Sequence, residues 1–469
     1  MKALHLLAFP LAAAGCVSFA EKRIEDDVAP SPAAVRREEP AAVSAPKQDP
    51  EMLAALAKGG TVSLARLIEF ALKTSPDTRA AWSDARAAAA LVGSRRSVWF
   101  PTVEVDANAG LTHPLIGTAQ LPLLKTVGPS AQLSWLLLDL GTRSADIDEA
   151  KALLAAANLA HDQSVQDLVL RVEQAYTQYQ AAKALSAAQK ASVDEARTAA
   201  QAADERRTAG LATIADVLQA KTALSQAQLN LMTVEGQVQT LRGALATAVG
   251  VPATVPVEAE ELPQAALDQQ LAKIDELIAQ AERERPDLAR ARAQALAAQS
   301  HAESVRWRGW PQLVLNGNWS RTWFIMTGNP AYNAYAATLQ LRIPLFNGFK
   351  DSFDAAQAAE QARAAEARAE SVEQQAILAV WTSYQGVRTA GQRVRTARDL
   401  LASAGQSAEV AEGRYKEGVG TILDVPTAQS ALAAARAQEV QARADWLLAM
   451  AALAHDTGSL GPAGQGARQ

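Results

Sequence analysis

Two aspartates are the best-placed candidates for chemistry in this chain. Asp216 closes the stretch Arg207-Thr-Ala-Gly210-Leu-Ala-Thr213-Ile214-Ala-Asp216, and Asp424 closes Tyr415-Lys-Glu-Gly418-Val-Gly-Thr421-Ile422-Leu-Asp424. The shared Gly, Thr, Ile and Asp, and the Val after each, keep one offset of 208 residues. A carboxylate in the first turn of a helix is stabilised by the helix dipole, and spacing alone offers no sharper chemistry than that. Other reactive types add nothing. His5, His113, His161, His301 and His455 are scattered, the five methionines trace no metal path, and Cys16 is the only cysteine. No nucleophile motif or phosphate-binding loop occurs. The sequence therefore predicts no catalytic residue, no metal site and no cofactor.

The elements that position the aspartates read clearly. A glycine supplies the left-handed residue that ends a helix, and a threonine a few positions on can start the next. Each stretch is thus a tight turn between long, alanine-rich helices. The chain is duplicated around these turns. Ser75-Pro76-Asp77 answers to Arg285-Pro286-Asp287, Phe100-Pro101 to Trp310-Pro311, and Leu137-Leu138-Asp139 to Leu345-Phe346-Asn347. Two copies of one unit of about 200 residues result, rather than a short-period solenoid.

A helix is predicted from about Ser63 to Val98, and another from Thr142 to Arg207, roughly 100 Å long at 1.5 Å per residue. After Thr213 the apolar residues Leu224, Ala227, Leu231, Val234, Val238, Leu241, Leu245 and Ala248 step by three and four. That is the 3.5-residue period of a coiled-coil seam. The second copy begins alike at Leu432 and Ala435, then meets Glu439 and loses the pattern.

Between these helices the period changes to two. Val103, Val105, Ala107, Ala109 and Leu111 alternate with Thr102, Glu104, Asp106, Asn108 and Gly110. Four such strands are expected, at about 101–112, 130–139, 311–323 and 334–346, each long enough to cross a bilayer when tilted. Pro114, Gly117, Pro122, Gly128 and Pro129 read as the loop of the first pair. Six of the nine tryptophans (Trp99, Trp135, Trp307, Trp310, Trp319 and Trp323) lie in or beside the strands, where interfacial girdles sit. A soluble half-buried hairpin is the competing reading, but four strands alone leave exposed edges. Membrane barrel is the favoured one.

The net charge of −5 argues against a nucleic-acid partner. No apolar run after the N-terminus is long enough for a transmembrane helix. Residues 1–20 have the pattern of an export signal. Ala13-Ala14-Gly15-Cys16 resembles the lipobox of bacterial lipoproteins, in which the cysteine is lipidated; cleavage after Ala20 is the other outcome. The expected organisation is a signal peptide at 1–15, a leader at 16–60 and a first repeat at 61–250. A linker at 251–267, a second repeat at 268–458 and a tail at 459–469 complete it.

Taken together, the paired turns, Trp310-Pro311, Leu345-Phe346-Asn347-Gly348 and the Cys16 context resemble the TolC-like outer-membrane factors. Within them the resemblance is to the NodT-type lipoprotein branch of the outer membrane efflux proteins. The resemblance implies an α+β membrane protein. Three chains would each give four strands to one twelve-stranded barrel, continuous with a periplasmic helical coiled-coil tunnel. It implies a homotrimer held in outer-membrane lipid, working with a periplasmic adaptor and an inner-membrane pump as an efflux exit duct. A duct for type I protein secretion is the alternative, and a soluble periplasmic coiled-coil scaffold a third. It further implies a pore constriction at Asp424, with Thr427 where many relatives carry a second acid and Gly420 where some carry arginine. Adaptor contacts would fall at the turn tips Gly210, Thr213, Asp216, Gly418 and Thr421. Glu104, Asp106 and Arg342 would face the barrel lumen.

Overall fold

The computed structural model describes residues 27–29, 31–33, 61–113, 115–116, 119–120, 123–260, 272–325, 330–421 and 423–460. The expected signal peptide, Cys16, Ile422 and the tail beyond residue 460 lie outside them, as does most of the expected leader and part of the expected linker. Two compact units divide the chain, and each draws on both sequence copies.

The first unit comprises the described residues of 84–158 and 290–371 together with 27–28. It holds β2 (Thr102–Thr112), β5 (Leu124–Leu138), β7 (Gln312–Ile325) and β8 (Tyr332–Arg342), joined antiparallel in the order β2-β5-β7-β8. A short pair, β3 (Leu115–Ile116) and β4 (Ala119–Gln120), lies within the first connection. Register sorts the residues onto two faces, because directly opposed residues share a face. Thr102, Glu104, Asp106 and Asn108 oppose Ser134, Gln132, Ser130 and Gly128, while Val103, Val105 and Ala107 oppose Leu133, Ala131 and Pro129. Farther across, Asn316 opposes Thr338 on the polar face, and Leu315 and Trp319 oppose Leu339 and Tyr335 on the apolar one. One face is mainly polar and the other mainly apolar, with Leu136 and Val314 among the exceptions on the first and Lys125 and Arg321 on the second.

Gly128 and Pro129 are strand residues rather than loop residues. They sit where the β5–β7 pairing skips from Val127/Trp323 to Ser130/Ser320. A Cβ at Gly128 would lie 1.7 Å from the Arg321 carbonyl oxygen, so only glycine lets the two backbones approach there.

Strand and helix are stitched together by one arginine. Arg143 belongs to the first turn of the long helix Thr142–Thr208, and its guanidinium donates to the carbonyls of Leu136 (2.6 Å), Leu137 (3.2 Å) and Val98 (3.4 Å). It lies 4.1 Å over the Trp99 ring and pairs with Asp139 at 3.2 Å, both side chains being about 5% exposed. The Asp139 carboxylate also accepts the Arg143 backbone N–H at 2.7 Å. Leu140 and Gly141 make the bend with positive φ.

The second unit comprises the described residues of 29–83, 159–289 and 372–460. The helix expected from Ser63 to Val98 is two helices, α1 (Leu64–Thr74) and α2 (Pro76–Arg96). Pro76 drives Ser75 to ψ 126°, and the helix restarts with proline at its first position. The second copy repeats this, with α5 (Ile274–Glu284) and α6 (Pro286–Trp307) meeting at Arg285, ψ 119°. The long helix Thr142–Thr208 is α3, followed by α4 (Ile214–Val249), with α7 (Lys350–Lys416) and α8 (Asp424–Asp456) in the second copy.

The core packs Leu67, Ile68 and Phe70 of α1 against Val165, Val169, Val172 and Tyr176 of α3 and Leu245 and Val249 of α4. A two-residue parallel pairing of β1 (Thr61–Val62) with β6 (Glu258–Ala259) is held to α3 by Tyr179, whose hydroxyl donates to Glu258 at 2.9 Å. The eight seam positions of α4 are all buried or half-buried. In the second copy the seam does not stop at Glu439. Val425, Ala428, Leu432, Ala435, Ala442 and Trp446 are buried at the same period, and Glu439 is half-buried between them. Its carboxylate lies 3.8 Å from Arg443 one turn on, so the acid stays in the seam with a local counter-charge. The facing stripe of α7, Ala390, Val394, Ala397, Ala404, Ala408 and Tyr415, keeps the same steps and is mostly alanine.

Candidate functional site

Both turns are built as the sequence requires, with Gly210 at φ 75° and Gly418 at φ 76°. In the first, Leu211 N–H returns to Arg206 O at 2.7 Å, closing the end of α3. Thr213 then caps α4. Its hydroxyl accepts the Asp216 N–H at 3.3 Å, while the Asp216 carboxylate accepts the Thr213 N–H at 2.6 Å. This reciprocal capping box satisfies two of the helix's free N–H groups and gives Asp216 a structural task. Asp216→Ala should therefore cost about 1 kcal/mol. A fall in protease resistance confined to the Gly210 turn would register it, and unchanged digestion of that turn would contradict it.

The second turn is different in detail. Val419 and Gly420 both donate to Arg414 O at 3.0 Å, and Asp424 accepts the Thr421 N–H at 3.2 Å. Asp424 and Thr427 are exposed, with the Thr427 hydroxyl donating back to Leu423 O at 2.7 Å. A Cβ at Gly420 would meet Arg414 Cβ at 3.1 Å, so the loop as folded has little room for a side chain there.

The turns are joined by a residue that the sequence reading passed over. Arg206, in the last turn of α3, donates to Tyr415 O at 2.9 Å and stacks 4.7 Å over the Tyr415 ring. It thus caps the C-terminus of α7 from the other copy's hairpin, a cation at the negative end of a helix. Tyr415 packs with Ala203, Val217, Ala220 and Val425, and burial raises the pKa of its hydroxyl. The available signal was a basic residue one turn before a helix-ending glycine. Glu104, Asp106 and Arg342 share the polar face of the sheet. Among the described residues no cluster of His, Cys, Asp or Glu could hold a metal, and no helix is long and apolar enough to cross a membrane.

These features are those of a known family. The profile of the outer membrane efflux proteins matches residues 67–251 and again 277–459. The chain belongs to that family. It is 31% identical over 415 residues to Protein CyaE of Bordetella pertussis, covering 85% of each chain. Among solved structures it is similar to the outer membrane protein VceC of Vibrio cholerae, with a TM-score of 0.75 and 21% identity over 84% of this chain and 96% of that one. It is similar also to the MtrE outer membrane channel of Neisseria gonorrhoeae, with a TM-score of 0.72 and 20% identity over 85% and 90%. As a family member the chain is an outer-membrane exit channel for tripartite efflux, and its fold is that of the trimeric channels with two repeat halves. Family and fold are those of channel proteins rather than enzymes.

Proposed function

We propose that three copies of this chain close one barrel and conduct small molecules outward from an inner-membrane pump, through a periplasmic adaptor. The supporting observation is a sheet with one mainly polar and one mainly apolar face and two open edges, in a chain of this family. In lipid every backbone N–H and C=O needs a partner, so the open edges require closure by further copies. Residues 1–15 are the export signal, and Cys16 carries the lipid that adds to the barrel's own hold on the outer membrane. The two repeats, 61–250 and 268–458, each give two strands and one helical hairpin. The turn tips at Gly210, Thr213 and Asp216 and at Gly418 and Thr421 face the adaptor. Asp424 and Thr427 line the narrowest part of the tunnel, and Glu104, Asp106 and Arg342 face the lumen.

Planar-bilayer conductance tests the pore assignment. Three Asp424 carboxylates around one axis attract cations, so Asp424→Ala should lose cation selectivity while Asp216→Ala keeps it. Equal selectivity in all three proteins would reduce Asp424 to a helix-end residue. Identifying the pump encoded beside this chain separates small-molecule efflux from polypeptide export.

A further inference from the structure

The two outer strands of the sheet carry opposite charges at the same end. On the polar face of the described strands, the charged residues are Glu104 and Asp106 on β2 and Arg342 on β8. Lys125 and Arg321 fall on the other face by register. Glu104 is the third residue of β2 and Arg342 the last of β8, so both lie where the sheet meets the helices. They cannot meet within one chain, because two strands separate them, roughly 14 Å at the usual strand spacing.

We propose that Arg342 pairs with Glu104 of a second copy of this chain, across the seam where β8 of one subunit meets β2 of the next, and that this pair fixes the register of the seam. The inference rests on the trimeric barrel proposed above. Antiparallel closure brings the end of β8 beside the start of β2, and both strands are 11 residues long. Full overlap sets Arg342 opposite Thr102, with Glu104 on the diagonal, about 7–8 Å between backbones and within reach of a long side chain. A shift of two residues one way sets Arg342 directly opposite Glu104 and diagonal to Asp106. A shift of two the other way moves Glu104 four residues along and out of reach. A slip of one residue would turn Val103 and Val105 to the polar face. Patterning therefore excludes the odd registers, and the charge pair selects among the even ones.

A cysteine at each position tests the seam. In detergent, Glu104→Cys/Arg342→Cys treated with a short bis-maleimide should give covalent dimers and trimers. Neither single variant should, because a head-to-tail seam joins unlike positions; the single variants also control for Cys16. Particles of three copies that do not cross-link would overturn the proposed pairing and leave the trimer standing. Monomers alone, without cross-links, would overturn both. Charge exchange gives an independent reading. Arg342→Glu and Glu104→Arg should each lower the yield of heat-resistant assembly several-fold, and the two together should restore it. A double variant no better than the singles would overturn the pairing.

Discussion

Replacing Arg143 with methionine should destabilise the chain by about 3–5 kcal/mol, the usual cost of removing one partner from a buried ion pair. The substitution would strand the Asp139 carboxylate, which is 6% exposed, and would release three carbonyls at Leu136, Leu137 and Val98. Trp99 would lose the cation over its ring. Thermal unfolding in detergent should shift down by several degrees, with a parallel loss of assembled protein in the outer membrane. Arg143→Met combined with Asp139→Asn should recover part of the loss, since the stranded charge is gone. The comparison variant is Arg171→Met, whose partner Asp77 is well exposed; it should change stability by less than about 1 kcal/mol. Equal shifts in the two single variants would deny the junction its special role.

Alkaline pH should weaken the end of α8. His455 lies between Asp167 at 2.9 Å and Asp456 at 3.2 Å, and these two carboxylates raise its pKa from 6.5 to about 9. Asp456 lies 4.0 Å from Arg285, which also holds Asp287 at 2.6 Å. Because the folded pKa lies above the unfolded one, the stabilisation is complete below about pH 6.5 and is lost as pH rises through about 9. The shift corresponds to about 3 kcal/mol at most, less a discount for Asp167, which is 43% exposed. Thermal midpoints between pH 6 and 10 should therefore fall steeply in the native chain. His455→Gln, which cannot titrate, should flatten that limb of the profile. A native midpoint unchanged from pH 7 to 9.5 would contradict the charged imidazolium.

Much of this architecture is legible in the sequence because period is a backbone property. The step from 3.6 to 2 after Pro101 marks β2, and the three-four stepping from Leu224 to Ala248 marks a buried seam. The failures are equally physical. Pro76 and Pro286 read in sequence as repeat markers, yet each also ends one helix and starts another, since proline forces the preceding residue out of the helical region. Glu439 broke the pattern on paper because an acid is a poor seam residue, but Arg443 one turn away supplies its charge. Gly128 and Pro129 look like a loop until a neighbouring strand brings the Arg321 carbonyl against them. The site was less visible than the fold. Asp216 and Asp424 are twins in sequence, and only coordinates distinguish the full capping box of one from the looser turn of the other. Arg206 acts on a helix more than 200 residues away, which no local pattern announces.

The two proline joints have one further consequence. They share a backbone, yet they are fastened by different materials. At the first, Thr78 donates from its backbone and hydroxyl to Ser75 at 3.4 and 3.3 Å, and Thr74 reaches Val249 O at 2.8 Å. At the second, Arg285 binds Asp287 and the Asp456 carbonyl, largely shielded from solvent. Each joint also carries an ion pair, and the two differ in exposure: Arg171–Asp77 at the first is well exposed and is screened by salt, whereas Arg285–Asp287 at the second is sheltered and is screened much less. Duplication thus left two hinges alike in shape and unlike in salt response. A change in the medium outside the chain can loosen one half of the molecule while touching the matching place in the other much less.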